Sequence, residues 1–311
     1  MKKLFLTMVV LVLLMVAAAY LFIPSIVSAT REIDLKGNPT AINRYLITEA
    51  RDNPWWQFSQ DSSVQNLPVS DRLSCVVVRR SISSLGMRMQ LAGLQAAGAL
   101  HVLPIGTDSV RLTWITQVPT SYNPIRRWQN WRKADEMNDA ISARLDSMAS
   151  FLSQSNNLYG FDIHEEKVVD SILVSTFIHS AEPASQEQVY SMVDQLRKFI
   201  AKHDARETGS PMINTTQTAT DFLIRVAIPV DRRLPTDGNI SYKWMMGGGK
   251  ILVAEVKGGN DRVQQAFKQM ENYLRDFRRT APAIPFFSWV TDRRQQQDSS
   301  QWITRIYYPV M

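Results

Sequence analysis

Near the carboxyl end the chain reads Trp302-Ile303-Thr304-Arg305-Ile306-Tyr307-Tyr308-Pro309-Val310. Its alternation predicts a strand on which Arg305 shares one face with Ile303 and Tyr307. A guanidinium on a sheet face offers a planar fork of donors, the chemistry that recognises a carboxylate or phosphate. Arg225, between Ile224 and Val226, is a second candidate cation. Trp244, Trp289, Trp302 and Tyr307 could supply an aromatic wall around a small molecule. Each has a plainer alternative: an exposed sheet face or a pairing with Glu255 for the arginines, and a place in the core for the aromatic rings.

Other groupings carry less chemistry. Gly247-Gly248-Gly249-Lys250 lacks the spacing of a phosphate loop, and Ile251 stands where a magnesium-holding Ser or Thr is needed, so a flexible connection is expected. His164-Glu165-Glu166 sets a histidine beside two carboxylates with no serine elbow or activated cysteine, and reads as a solvated linker. The four histidines stand far apart and Cys75 is the single cysteine, which excludes an intramolecular disulfide and multi-cysteine metal sites. Catalytic residues, metal ligands and cofactors are therefore predicted to be none.

The elements that must position these residues follow from periodicity. Leu4 to Ile23 is an apolar run behind Lys2 and Lys3, and as a helix it would rise about 30 Å, the thickness of the hydrocarbon core. A bilayer is thus an expected partner through residues 4–23, and the two lysines place the rest of the chain outside the cytoplasm. The alternative is secretion after cleavage near Ala29, following the small residues of Val27-Ser28-Ala29. A strand over Ile26 to Leu35 and a short helix over Ala41 to Ala50 come next. Four β-type runs follow a Trp55-Trp56 loop: Leu73 to Arg80, Gly86 to Ala92, Ala99 to Pro104 and Ser109 to Thr116. From about Ile125 to Gln154 the period changes, with Ala134, Met137, Ile141, Leu145, Met148 and Leu152 forming the apolar stripe of one long helix.

Ser153 to Gly160 is polar and marks a boundary. Beyond it, a strand (Lys167 to His179), a helix (Gln186 to His203) and a strand (Asp221 to Val230) are followed by the same order again. The second set is Lys250 to Val256, Asp261 to Phe277 with the stripe Val263, Phe267, Met270, Leu274 and Phe277, and Trp302 to Tyr308. The second domain is read as an internal duplication of strand–helix–strand.

Composition agrees with a folded, mixed protein: 45% of the 311 residues are hydrophobic and 21% charged. The 35 Lys and Arg against 29 acidic residues give a net charge of +6, spread along the chain rather than gathered on one face, so no nucleic-acid partner is expected.

Two resemblances attach to these segments. The first half resembles the START-like and polyketide-cyclase-like (SRPBCC) helix-grip superfamily, through the opening strand, Trp55-Trp56, Leu100 to Gly106 leading into Arg111-Leu112-Thr113-Trp114, and Asn123-Pro124-Ile125-Arg126-Arg127 before the long helix. Only five strands are predicted, one hairpin fewer than such domains carry, so no large cavity is expected there. The second half resembles the GyrI-like effector-binding domain, through Val226-Ala227-Ile228-Pro229-Val230, Val253 to Gly259 and the strand ending in Pro309-Val310. That resemblance implies a ligand pocket between two repeats. Arg305 stands where the family commonly has a glutamate used for cations or hydrolysis, and Asn260 where it commonly has a tyrosine.

The expected fold class is α+β. A transmembrane anchor (1–24) precedes a helix-grip antiparallel sheet with a long C-terminal helix (25–154) and a duplicated GyrI-like domain (155–311). The expected function is that of a membrane-anchored, periplasm-facing, non-enzymatic protein that binds an unidentified small molecule, anionic or lipid-like. An envelope scaffold with a degenerate pocket, or a hydrolase or cyclase of the same superfamilies, are the alternatives.

Overall fold

The computed structural model describes residues 2–48, 57–58, 65–69, 73–169, 171–245 and 247–311. The chain divides into two compact units, Met1–Gln154 and Ser155–Met311. Both mix helix with antiparallel sheet.

The first unit opens with α1 (Lys2–Phe22). Its stretch Leu4–Phe22 is 19 residues long, apolar enough to cross a membrane, and has none of its most apolar window buried. Pro24 follows closely, and with no backbone N–H to donate it cannot extend the helix. Strand β1 (Ile26–Lys36) then pairs along its whole length with β7 (Ser109–Pro119), Ile26 opposite Pro119 and Lys36 opposite Ser109. Between them lie α2 (Pro39–Asn43), a π-helical turn (Arg44–Thr48), β2 (Gln57–Phe58), β3 (Gln65–Pro68), β4 (Leu73–Arg80), β5 (Ser84–Leu91) and β6 (Leu94–Pro104). The sheet order is β1-β7-β6-β5-β4-β3-β2.

Two strands more than the five expected are present. Gln57–Phe58 and Gln65–Pro68 are too short and too polar to show period-two alternation. Backbone pairing places them, with Asn66 opposite Gln57 on one side and Val76 on the other. Strand β6 also begins earlier than Ala99. Its Ala-Ala-Gly stretch carries no β signal, and the Met89 side chain packs over Gly98, where a Cβ would lie 2.7 Å from the Met89 methyl and displace it. The Trp55-Trp56 pair and the end of the short helix at Glu49-Ala50 lie outside the described residues.

Helix α3 (Pro124–Leu152) starts at Asn123, whose side chain accepts from the backbone N–H of Ile125 and Arg126, with Pro124 in the first turn. The whole expected stripe from Ala134 to Leu152 is buried, as are Leu85, Met89, Leu100, Leu112 and Trp114 of the sheet. Cys75 is fully buried in β4.

The second unit comprises α4 (Ser155–Tyr159), β8 (Ile163–Lys167), β9 (Ser171–Ser180), α5 (Gln186–Lys202), β10 (Met212–Gln217), β11 (Phe222–Val230), β12 (Ser241–Met245), β13 (Lys250–Lys257), α6 (Asn260–Asp276), β14 (Phe286–Trp289) and β15 (Ile303–Val310). The sheet order is β12-β9-β11-β10-β14-β15-β13-β8. Helix α5 has a reciprocal cap between Ser185 and Gln188. Its Val189, Val193, Leu196 and Ile200 form a buried cluster with Val174, Ile224, Val226 and Ile228 of the sheet.

Four strands stand beyond those expected in this unit. An extra strand comes between each long helix and the expected one, β10, whose Asn-Thr-Thr-Gln end is polar, and β14, which is only four residues long, while β12 and β8 are added at the two edges of the sheet. His164-Glu165-Glu166 is not a linker but part of β8, where Glu165 meets Lys250 and Arg279 at 2.7 and 2.9 Å. Phe277 falls just past α6 and is exposed. The glycines before Lys250 make a hydrogen-bonded turn, with Gly248 N–H donating to Val168 and Val168 N–H to Gly249.

Candidate ligand site

Strand β15 buries Thr304, Ile306, Tyr308 and Val310 and turns Arg305 and Tyr307 to the opposite face. Register with β14 sets Phe286 opposite Tyr307 and Ser288 opposite Arg305. The Phe286 and Tyr307 rings stack at 4.8 Å between centroids and 15° between planes. They stand in a cleft of about 750 Å³ whose lining includes Met212, Ile251 and Trp244, with Glu166, Lys167 and Asp231 as its charged members. That volume lies within the range of small-molecule sites, and the mix of aromatic floor and few charges is their usual make-up.

The cleft's charges are partly spoken for. Asp231 is held below the usual carboxylate range, first by the Arg232 guanidinium and then by the Arg206 backbone N–H. Arg305 shares the face of Tyr307 but donates to Glu255 on β13 at 3.2 Å. Both side chains are about half exposed, and Glu255 holds the arginine's pKa above its ordinary value. An exposed pair of this kind is worth about 0–1 kcal/mol. Of the two partners open to Arg305, protein carboxylate or ligand, the structure thus supplies the carboxylate.

The other expected residues fall elsewhere in the unit. Trp244 and Tyr307 line the cleft, whereas Trp289 and Trp302 meet at Arg293, a residue that sequence reading passed over. The Arg293 guanidinium lies 4.2 Å from the Trp289 ring centroid and 4.4 Å from that of Trp302. Its Nη1 donates to Asn260 Oδ1 at 3.1 Å and its Nη2 to Thr304 Oγ1 at 2.9 Å. Only 5% of the residue is exposed, and burial pulls its pKa down to about 10. It borders a second cavity of about 360 Å³, lined also by Phe267, Phe287, Trp289, Tyr308 and Glu271. Asp292-Arg293-Arg294 reads as a solvated turn, so its sequence held no signal of burial beyond the tryptophan four residues earlier. Arg225 donates to Asn214 Oδ1 at 3.0 Å and contacts Thr216, tying β11 to β10. Asn260 is one of the groups that fixes Arg293.

No protein-family model matches the chain, and no curated protein does. Solved structures similar to it include the C-terminal domain of EcmrR, at 15% identity over 49% of this chain and 98% of that one, with a TM-score of 0.40. SAV2435 bound to tetraphenylphosphonium is 14% identical over 48% of this chain and 94% of that one, TM-score 0.33. A hydrolase from Listeria innocua is 9% identical over 48% and 92%, TM-score 0.37. The chain is a mixed α+β protein with an apolar N-terminal helix and curled antiparallel sheets.

Proposed function

We propose that this is a membrane-tethered, periplasm-facing protein whose second unit binds a small, largely apolar molecule in the cleft at Phe286 and Tyr307. The observation that carries the reading is that stacked pair, standing in a 750 Å³ cleft with Trp244 in its lining. The second unit is read as two copies of one strand–helix–strand–strand unit of GyrI-like type. Its support is the recurrence of β9-α5-β10-β11 as β13-α6-β14-β15, with the two sets in mirrored positions across the sheet. The first unit is read as a helix-grip domain, on its antiparallel sheet and the long helix α3.

An uncleaved anchor is favoured by what cleavage after Ala29 would remove. Ile26–Ala29 form the first part of the β1 ladder opposite Thr116–Pro119. Ile23 is 7% exposed and its carbonyl accepts from Arg127 at 2.9 Å. Losing this segment would strip one end of β7 of its partner.

Arg305 lies outside the cleft's lining, on the face of Tyr307. From there it would favour ligands with an acidic group that reaches past the cleft to take the place of Glu255, in a pair that costs little to exchange. The test is a thermal-shift panel of fatty acids, acyl phosphates and lipophilic cations. A ligand at about a hundredfold excess over Kd raises stability by about 2.7 kcal/mol. Acidic ligands should stabilise the wild type, Arg305→Glu should lose that effect, and Tyr307→Ala should lose all ligand effects. Stabilisation by cations alone overturns the acidic preference. No stabilisation by any class leaves a scaffold with a degenerate pocket.

A further inference from the structure

The first turns of α3 present an apolar and aromatic face to solvent. Tyr122 is 92% exposed, Ile125 68% and Trp128 53%. Ile125, Trp128 and Arg132 follow at i, i+3 and i+7, so they share one side of the helix, and the Arg132 guanidinium lies 5.8 Å from the Trp128 ring centroid. The face belongs to a stretch without a single acidic residue between Asp108 and Asp135, while Arg126, Arg127, Arg132 and Lys133 fall within it.

This end of α3 adjoins the end of α1. Arg127, on the opposite side of α3, reaches the Ile23 carbonyl at 2.9 Å, and its guanidinium sits 5.0 Å from the Tyr20 ring centroid. The Tyr20 hydroxyl donates to the Tyr122 carbonyl, and Thr120 Oγ1 donates to Pro24 O at 2.7 Å. Ile26, at the start of β1, is also half exposed there. Helix α3 then runs away along β1, until the Leu152 carbonyl lies 3.5 Å from where a Gly37 Cβ would be. Tyr122, Ile125 and Trp128 thus stand at the end of the unit where an apolar helix leaves it.

We propose that Tyr122, Ile125, Trp128 and Arg132 rest in the headgroup layer of the bilayer that α1 crosses, as a second point of membrane attachment. Rings with one apolar and one polar side favour that depth, and the guanidinium groups face anionic headgroups there. The occupant is a bilayer because the face stands beside the end of a helix whose most apolar stretch is fully exposed and long enough to cross one, and because it carries the charge that complements anionic lipid. With two attachments the unit cannot swivel about α1. The inference rests on the reading of α1 as an uncleaved anchor.

The test uses the full chain in vesicles of phosphatidylcholine and phosphatidylglycerol, with a nitroxide on single introduced cysteines. Cys75 is buried and escapes labelling. Ile125→Cys should be shielded from a water-soluble nickel chelate several-fold more than Asp139→Cys, which is exposed and about 21 Å further along α3. Val12→Cys, within α1, reports the anchor separately. Shielding at positions 12 and 125 supports the proposal. Shielding at 12 with equal accessibility at 125 and 139 overturns the proposal and leaves the anchor. Free accessibility at 12 overturns the anchor reading, and the proposal with it.

Discussion

A filled sheet face of the first unit can be set against the open sheet face of the second. In the first unit, Met87, Met89, Leu91, Leu112 and Trp114 are at most 2% exposed, and the helix that runs along β1 has its whole apolar stripe buried. In the second, β15 is sealed on the side of Thr304 and Ile306 but leaves Tyr307 facing a cleft and Arg305 half exposed. A filled face gives stability and little room for a ligand. An incompletely filled face with stacked rings gives up some burial and gains a surface for recognition.

The sharpest way to break this contrast is truncation on each side of it. Trp114→Ala should cost about 3–5 kcal/mol, because it empties a fully buried site. Tyr307→Ala should cost under about 1.5 kcal/mol, since its ring faces the cleft. Denaturant melts of the two variants would measure both. Equal losses would mean that the cleft is core and the contrast false.

A medium effect is expected at Cys75. Burial pushes its thiol up to about 12 from an ordinary value near 9. In the unfolded chain the thiol ionises first, so unfolding releases a proton between those two values and stability falls as pH rises through that window. Below it both states hold the proton and the contribution is unchanged. Cys75→Ala should therefore show a shallower loss of stability than the wild type above about pH 9. Parallel slopes would show that the thiol meets water.

The smallest effect concerns the pair on the open face. A double-mutant cycle on Arg305 and Glu255 should give a coupling of about 0–1 kcal/mol that shrinks with salt. A coupling several times larger would make the pair a structural clasp and remove its ease of exchange with a ligand.

Much of the frame was legible in the residues themselves. The stripe from Ala134 to Leu152 and the alternation around Arg305 are long enough for period to show: the stripe is buried whole, and Arg305 and Tyr307 share the face opposite Thr304 and Ile306. Strands β2, β3, β8, β10, β12 and β14 were not legible. They are short or polar and take their place from backbone bonds to neighbours far along the chain. The site was legible in part. Tyr307 and Trp244 both line the cleft, but Tyr307 stacks on Phe286, and Trp289 and Trp302 turn to Arg293, which is held by Asn260 and Thr304 in contacts that no local pattern announces.

The middle of the second sheet has a mechanical meaning of its own. Among the described residues, β10 and β14 meet in one register position, Ile213 opposite Phe287, with a single side-chain stitch from Asn214 to the Pro285 carbonyl at 2.9 Å. On either side the ladders are longer, four positions in β14–β15 and six to nine in β10–β11, β11–β9 and β13–β15. Load carried along the sheet must therefore cross a narrow isthmus between two stiff plates. Such a joint yields before the plates do, so the spacing of the two halves is the softest dimension of this unit.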